Sequence, residues 1–319
     1  MTSAGRAVAG ALGATAAAGL AAFAWGAAVE RNRFTVRHET LPVLEPDARP
    51  ITILHLSDLH MAPWQRAKQE FVRSLAVYEP DLVIDTGDML GHEDGISGVR
   101  RALEVFEGAA GLFVHGSNDY FGPVLKNPFG YFFESSSRKG KRAPELDTAA
   151  LDAFLTEELG WFDLNNAVRA VELKGTRIEL IGTGDAHIGW DRLGELPGMV
   201  ERMREEVEWS TPQARQVLTL AATHAPYRRV LDAFASHGAD LVFAGHTHGG
   251  QVRIPGRPAL VTNCDIPPEQ AQGLSVWRAG ARSSFLEVSA GLGTSIYAPV
   301  RFACPPEAVV ITLTPVKVD

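Results

Sequence analysis

The chain has 319 residues, enough for one large domain or two small ones. Its hydrophobic share of 45% and charged share of 21% are those of a globular protein and exclude wholesale disorder. A net charge of −8 excludes a general basic footprint for nucleic acid, and two cysteines, Cys264 and Cys304, are too few for a disulfide framework.

From Ala7 to Val29 there is no charge and, apart from Thr15, no strongly polar side chain. At roughly 23 residues the stretch is long enough to cross a bilayer as a helix. It is read as a single-pass membrane anchor over residues 1–30. The alternatives are a signal peptide, since Ala22-Phe23-Ala24 matches an A-x-A cleavage site and would mean export, and a plain Ala-rich tail. Arg6 before it and Arg31, Arg33 and Arg37 after it favour a cytoplasmic body at the cell membrane by the positive-inside rule.

Residues 31–50, with Pro42, Pro46 and Pro50, read as a linker with one edge strand. A domain is expected from Ile51 to the C-terminus. Ile51–Leu56 is predicted as a strand ending in Ser57-Asp58-Leu59-His60, and Gln65–Tyr78 as a helix stopped by Pro80. Leu82–Ile84 is the next strand, ending in Asp85-Thr86-Gly87-Asp88, followed by a helix over Gly98–Glu107. Leu112–Val114 is a third strand, ending in Gly116-Ser117-Asn118-Asp119. Strands alternating with helices imply βαβ units with right-handed crossovers.

An insertion at about 120–147 breaks this rhythm, carrying Phe121, Phe129, Tyr131, Phe132 and Phe133 and then Arg138, Lys139, Lys141 and Arg142. It reads either as a solvated loop or as a cap whose aromatics meet acyl chains and whose cations meet anionic headgroups. Thr148–Leu159 is predicted helical, and Ala167–Leu173 and Arg177–Ile181 form a hairpin. The second of these strands leads to Asp185 and His187, which read as a surface turn or as a substrate or proton-transfer pair at the rim. Glu201–Trp209 is a charged helix, Val217–Ala222 a strand ending in His224, and Arg228–Ser236 a short helix. Leu241–Ala244 is a buried strand that stops at Gly245 and delivers His246 and His248 before Gly249 and Gly250 turn the chain. Leu274–Arg278, Phe285–Ser289 and Val309–Leu313 complete a β-rich C-terminal part.

One design recurs. Five apolar runs end in Asp58 and His60, in Asp88, in Asn118, in His224, and in His246 and His248. In α/β sheets ligands bind outside the carboxyl ends of the strands, so these seven side chains would converge on one crevice. They are too many for one tetrahedral ion and suit two, with an Asp bridging. A His-rich set of nitrogen and oxygen donors favours Mn, Fe, Zn or similar divalent ions over Mg. A pair of such ions would activate water near neutral pH and stabilise both oxygens of an in-line displacement at phosphorus. His55 and His115 read as structural.

The order Asp58-Leu59-His60, Gly87-Asp88, Gly116-Ser117-Asn118-Asp119, His224, Gly245-His246-Thr247-His248 resembles the calcineurin-like metallophosphoesterase superfamily from about Ile51 onward. The blocks Gly245–Gln251 and Gly291–Ser295 resemble its membrane-associated bacterial branch, which is similar to UDP-2,3-diacylglucosamine pyrophosphatase-type enzymes. The resemblance implies an α/β fold of four layers, an αββα sandwich of two mixed sheets with flanking helices, here behind an N-terminal membrane helix. It implies one metal held by Asp58, His60, Asp88 and His248 and another by Asp88, Asn118, His224 and His246. The implied substrate is a phosphorylated small molecule or lipid.

One block departs from the pattern, since the family usually has Gly-Asn-His-Asp. Without a gap, Ser117 replaces the ligand Asn and Asn118 the His that helps the leaving group. With one inserted residue, Asn118 stays a ligand and Asp119 takes the catalytic place. The second alignment is favoured because a carboxamide oxygen is the better ligand. It puts Asp88, Asn118, Asp119 and His224 in the catalytic set. The same departure is the only support for the alternative of a non-catalytic scaffold.

Overall fold

The computed structural model describes residues 3–123, 143–209 and 217–317, and side chains from residue 11 onward. Phe129, Tyr131, Phe132, Phe133, Arg138, Lys139, Lys141 and Arg142, on which the cap reading rests, lie outside the described residues.

Twelve strands among the described residues make two six-stranded sheets. The first has β1 (Thr35–Leu44), β12 (Glu307–Pro315), β2 (Ile51–Leu56), β3 (Leu82–Asp85), β4 (Gly111–Phe113) and β5 (Phe162–Asp163), in that spatial order. The second runs β10 (Gly273–Ala279), β11 (Arg282–Val288), β9 (Leu241–Ala244), β8 (Val217–Thr223), β7 (Thr176–Gly182), β6 (Ala167–Leu173). β2, β3 and β4 pair in parallel, as do β7, β8 and β9. β12 runs antiparallel to β2, and β10 and β6 run antiparallel at the two edges of the second sheet, so both sheets are mixed.

The central strands are apolar on both faces because both faces are covered. Ile53, Ile84, Leu220, Leu241 and Phe243 fill the space between the sheets. Their neighbours Leu54, Val83, Ala221 and Val242 point outward to the helices. Helices α2 (Arg66–Ser74), α3 (Ile96–Leu103) and α5 (Thr148–Ala153) cover the first sheet through Val72, Val99 and Leu151. Helices α6 (Leu196–Glu206) and α7 (Arg228–Ser236) cover the second through Val200, Val230 and Phe234. The result is the expected four-layer α/β sandwich. An apolar helix α1 (Ser3–Ala28) precedes it.

Among the boundaries that differ from expectation, two have a clear physical cause. The segment read mainly as a linker contributes β1, a ten-residue strand paired in parallel with β12. Leu41 and Leu44 are buried in the inter-sheet core, and Pro42 is tolerated because β1 lies at the sheet edge. Helix α6 starts five residues before the predicted Glu201, because Pro197 fits its first turn, and ends before Val207, which is extended.

Candidate metal centre

Each strand of the design stops at its carboxyl end, and the next residues turn abruptly. Asp58, His60, Asp88, His246 and His248 all have positive φ, between 39° and 67°. Non-glycine residues held in this region signal a backbone over-determined by its surroundings. The clamps are visible. Parallel pairing continues past β2 and β3, with Asp58 N–H donating to Gly87 O at 2.8 Å and His60 N–H to Asp88 O at 2.9 Å. Gly245 has no room for a Cβ against Ser57 and Asp58, and Gly291 has φ 69° where a Cβ would stand 2.5 Å from that of Asp58.

Asp88 Oδ2 is the shared corner of the cluster. His60 Nε2 is 3.6 Å away, His224 Nε2 3.4 Å, and the Asn118 amide donates to it at 2.6 Å. On one side, Asp58 Oδ1 lies 3.6 Å from His248 Nε2, and the His60 and His248 ring nitrogens are 3.3 Å apart. On the other, His246 Nδ1 is 3.2 Å from His224 Nε2. Ligands about 2.1 Å from one ion stand about 3.0 Å apart at right angles and about 3.4 Å apart at a tetrahedral angle. Most of the observed spacings fall close to this interval, and the ligand atoms of Asp58, His60 and His248, like those of Asp58, Asp88 and His224, lie within 4.8 Å of one another, so the donors suit divalent ions.

Neighbouring groups orient the donors. His224 donates from Nδ1 to Thr86 O at 2.8 Å, and His246 faces Asn263 O through Nε2 at 3.3 Å. Each carbonyl fixes a tautomer that leaves the opposite ring nitrogen as the donor to an ion. Asp58 Oδ2 accepts from Ser57 Oγ at 2.6 Å and from His246 N at 2.9 Å. Its Oδ1 is buried with no hydrogen bond, which is the kind of orphan a cation satisfies. Burial raises the Asp58 carboxyl above its ordinary range. Burial opposes ionisation of Asp88 too, but His224, His60 and the Asn118 backbone N–H outweigh it and hold that carboxyl well below the ordinary range. Burial pushes His246 and His248 well below theirs, keeping them neutral and ready to bind metal.

The structure brings together all seven predicted ligands, Asp58, His60, Asp88, Asn118, His224, His246 and His248. Asn118 reaches the cluster from the turn of α4 (Ser117–Tyr120). Asp119 does not. Its carboxylate is fully buried and accepts from the backbone N–H groups of Asp88 at 2.8 Å, Gly116 at 3.0 Å and Leu90 at 3.0 Å. The expectation that Asp119 replaces the catalytic His is therefore corrected: it is the anchor of the turn.

Of the six histidines outside the ligand set, three stand close to it. His55 packs on Phe243 and hydrogen-bonds Thr86 Oγ1, with burial pushing it down to about 3. His115 bonds Asp152 at 2.6 Å behind the Asn118 turn. His187 is half-buried with its ring centroid 4.4 Å from that of His246 and its Nδ1 3.0 Å from Tyr227 Oη, so it stands at the centre rather than on a remote turn. Sequence reasoning missed Ser57, Tyr227 and Lys68. The Lys68 ammonium, pushed down to about 7 by burial, donates to Leu59 O at 2.6 Å beneath the Asp58–His60 turn. Only the adjacency of Ser57 to Asp58 was visible in advance.

The chain is similar to curated relatives and to solved structures. The chain is 27% identical over 233 residues, 70% of its length and 72% of the relative's, to the uncharacterised metallophosphoesterase YkoQ of Bacillus subtilis (strain 168). It is 24% identical over 319 residues, covering 97% of itself and 94% of the relative, to the uncharacterised metallophosphoesterase YkuE of the same organism. Among solved structures, a 5'-nucleotidase precursor from Thermus thermophilus aligns at 11% identity and TM-score 0.44, over 83% of this chain and 55% of that one. The phosphopantetheinyl hydrolase PptH from Mycobacterium tuberculosis aligns at 15% identity and TM-score 0.38, over 76% and 89%. The profile of the calcineurin-like phosphoesterases matches residues 51–250, and the chain belongs to that family, as a hydrolase of phosphoester bonds.

Proposed function

We propose that the chain is a membrane-tethered phosphohydrolase that uses two divalent ions to cleave a phosphoester or pyrophosphate bond in a small-molecule or lipid substrate. The observation that carries this reading is the single oxygen, Asp88 Oδ2, facing His60, His224 and Asn118 at once. Asp58, His60, Asp88 and His248 would hold one ion, and Asp88, Asn118, His224 and His246 the other. Mn, Fe or Zn suits this donor set. The ions, when bound, supply an acidified water and charge for the attacked phosphoryl group.

The protein's own residues do the rest. Ser57, Thr86 and Asn263 aim the ligands, and Asp119 holds the turn that presents Asn118. His187, braced by Tyr227 and set against His246, is positioned to donate a hydrogen bond to a substrate oxygen. That contact takes the place of the missing family histidine. The finer reading, a lipid-linked pyrophosphate of the UDP-2,3-diacylglucosamine type, rests on Gly245–Gln251 and Gly291–Ser295. Water attack on one phosphorus of a pyrophosphate breaks the bridging P–O bond and expels a phosphate, a good leaving group that needs little acid help.

The test is turnover of bis(p-nitrophenyl) phosphate by the full chain in detergent with Mn added, together with metal analysis of the same sample. Asp88→Asn is expected to lower kcat at least a hundredfold, and chelation to abolish turnover. Undiminished turnover in a metal-stripped sample would overturn the reading.

A further inference from the structure

We propose that the loops at residues 252–260 and 295–302 rest in the headgroup layer of a bilayer, so that the metal centre opens onto the membrane and takes a phosphate carried on a lipid. The proposal rests on the anchor and hydrolase readings above and adds the orientation of the centre, which selects a lipid over a soluble substrate.

The geometry starts with the length of α1. Its 26 residues rise about 39 Å, whereas a hydrocarbon core of about 30 Å needs about 20 residues. Counted from Ala7, where the uncharged stretch begins after Arg6, those residues reach about Gly26, so the end of α1 falls in the headgroup layer, with Trp25 suited to its border. No free tether follows. A short helical turn, Glu30–Asn32, leads directly into β1 at Thr35.

The end of α1 is fixed to the domain by buried contacts. Arg301 N–H donates to Gly26 O at 3.2 Å, and a Cβ on Gly26 would stand 2.6 Å from Arg301 O. Buried Glu30 accepts from Cys304 N at 2.7 Å and from Trp25 Nε1 at 2.9 Å. Whatever is bonded to this junction must share its depth. Gln251 Nε2 donates to Ala298 O and Val300 O, both at 2.9 Å, and Arg253 N–H donates to Phe302 O at 2.9 Å. The two loops and the helix end are thus one rigid shoulder.

The surface chemistry of that shoulder fits lipid. Val252 is 41% exposed, Ile254 55%, Leu260 48% and Tyr297 49%, an apolar set that gains nothing from facing water. Neither loop contains an acidic residue, and Arg253 and Arg257 stand among the apolar groups, a charge pattern suited to anionic headgroups. The same loop is the rim of the metal centre. It leaves His248 through Gly249 and Gly250 and returns at Asn263, whose carbonyl lies 3.3 Å from His246.

The experiment uses the full chain reconstituted in phosphatidylethanolamine–phosphatidylglycerol vesicles. Ile254→Cys and, at the far end of α7, Ser236→Cys are each labelled with the environment-sensitive fluorophore NBD, with the unsubstituted chain as background. The expected result is blue-shifted emission at position 254 that shallow spin-labelled lipids quench several-fold, and aqueous, unquenched emission at 236. Aqueous emission from both positions in vesicle-bound protein overturns the proposal and leaves the hydrolase reading intact, since that is scored separately on the soluble ester. Failure of the chain to float with vesicles overturns it through the anchor. A detergent-solubilised dimer that Ile254→Asp converts to monomer identifies a second copy as the occupant and overturns the lipid assignment.

Discussion

His115 shows how a buried histidine can serve the centre without touching it. Burial lowers its tendency to hold a proton, but Asp119 at 3.5 Å and Asp152 at 2.6 Å outweigh this and push it up to about 10 from 6.5. A folded value above the unfolded one contributes stability that is fully present below pH 6.5 and is lost as the pH rises through about 10. Asp152 is partly solvated, so the pair is discounted for screening. His115→Gln is expected to cost about 2 kcal/mol at pH 6, with the gap narrowing by pH 9.5, measured by urea unfolding at both values. A gap independent of pH would assign His115 a packing role alone. At this scale the ligands were legible because Asp and His at strand ends carry their chemistry in their identity. Their supports were not, because Thr86 and Asn263 act through backbone carbonyls that any residue possesses. Asp119 was misread for a related reason: the letters do not say whether a carboxylate faces a cavity or three amide groups.

Strands whose two faces are both covered announce themselves as unbroken apolar runs, which is why β2, β3, β8 and β9 were placed within a residue or two. β1 is different. Its burial is irregular, Pro42 interrupts it near its end, and beside the buried Leu41 and Leu44 it also carries an arginine that points inward. Arg37 crosses from the first sheet to the second, bonding Glu287 on β11 and Glu307 on β12. No periodicity predicts a charge that becomes core only through partners some 250 residues away. Burial pushes Glu287 up to about 7 from 4.5 despite Arg37, so the folded state binds extra protons in that window and stability falls as the pH rises through it. Arg37→Met would leave two inward carboxylates without their cation. The expected cost is about 3–5 kcal/mol, greater at pH 8, where Glu287 is ionised, than at pH 5. Chemical denaturation at the two pH values measures it, and an unchanged midpoint would mean that β1 is held by its ladder alone.

Across the whole molecule, the centre is a junction between halves. Asp58, His60, Asp88 and Asn118 come from the first sheet, and His224, His246 and His248 from the second. The sequence order put all of them at strand ends. Strand ends alone did not say that two sheets would face each other, because that depends on which side of each apolar run points inward; the family resemblance did imply it. Below the centre the sheets are joined by hydrocarbon packing, which reaches from Ile51 and Leu313 to Val114 and Phe243. At the rim the joining groups are the ligands themselves. Ions that bind only the folded chain should therefore act as inter-sheet clamps and raise its stability by mass action. At a thousandfold excess over Kd the gain is about 4 kcal/mol. For a domain of this size that corresponds to a rise in Tm of about 6–7 °C. Wild-type protein treated with chelator and then titrated with Mn should show this rise by calorimetry, and Asp88→Asn, which weakens the shared corner, should lose most of it. A wild-type Tm that ignores saturating metal would mean that the two sheets meet without help from their ligands, and that the cluster is held in place by the protein alone.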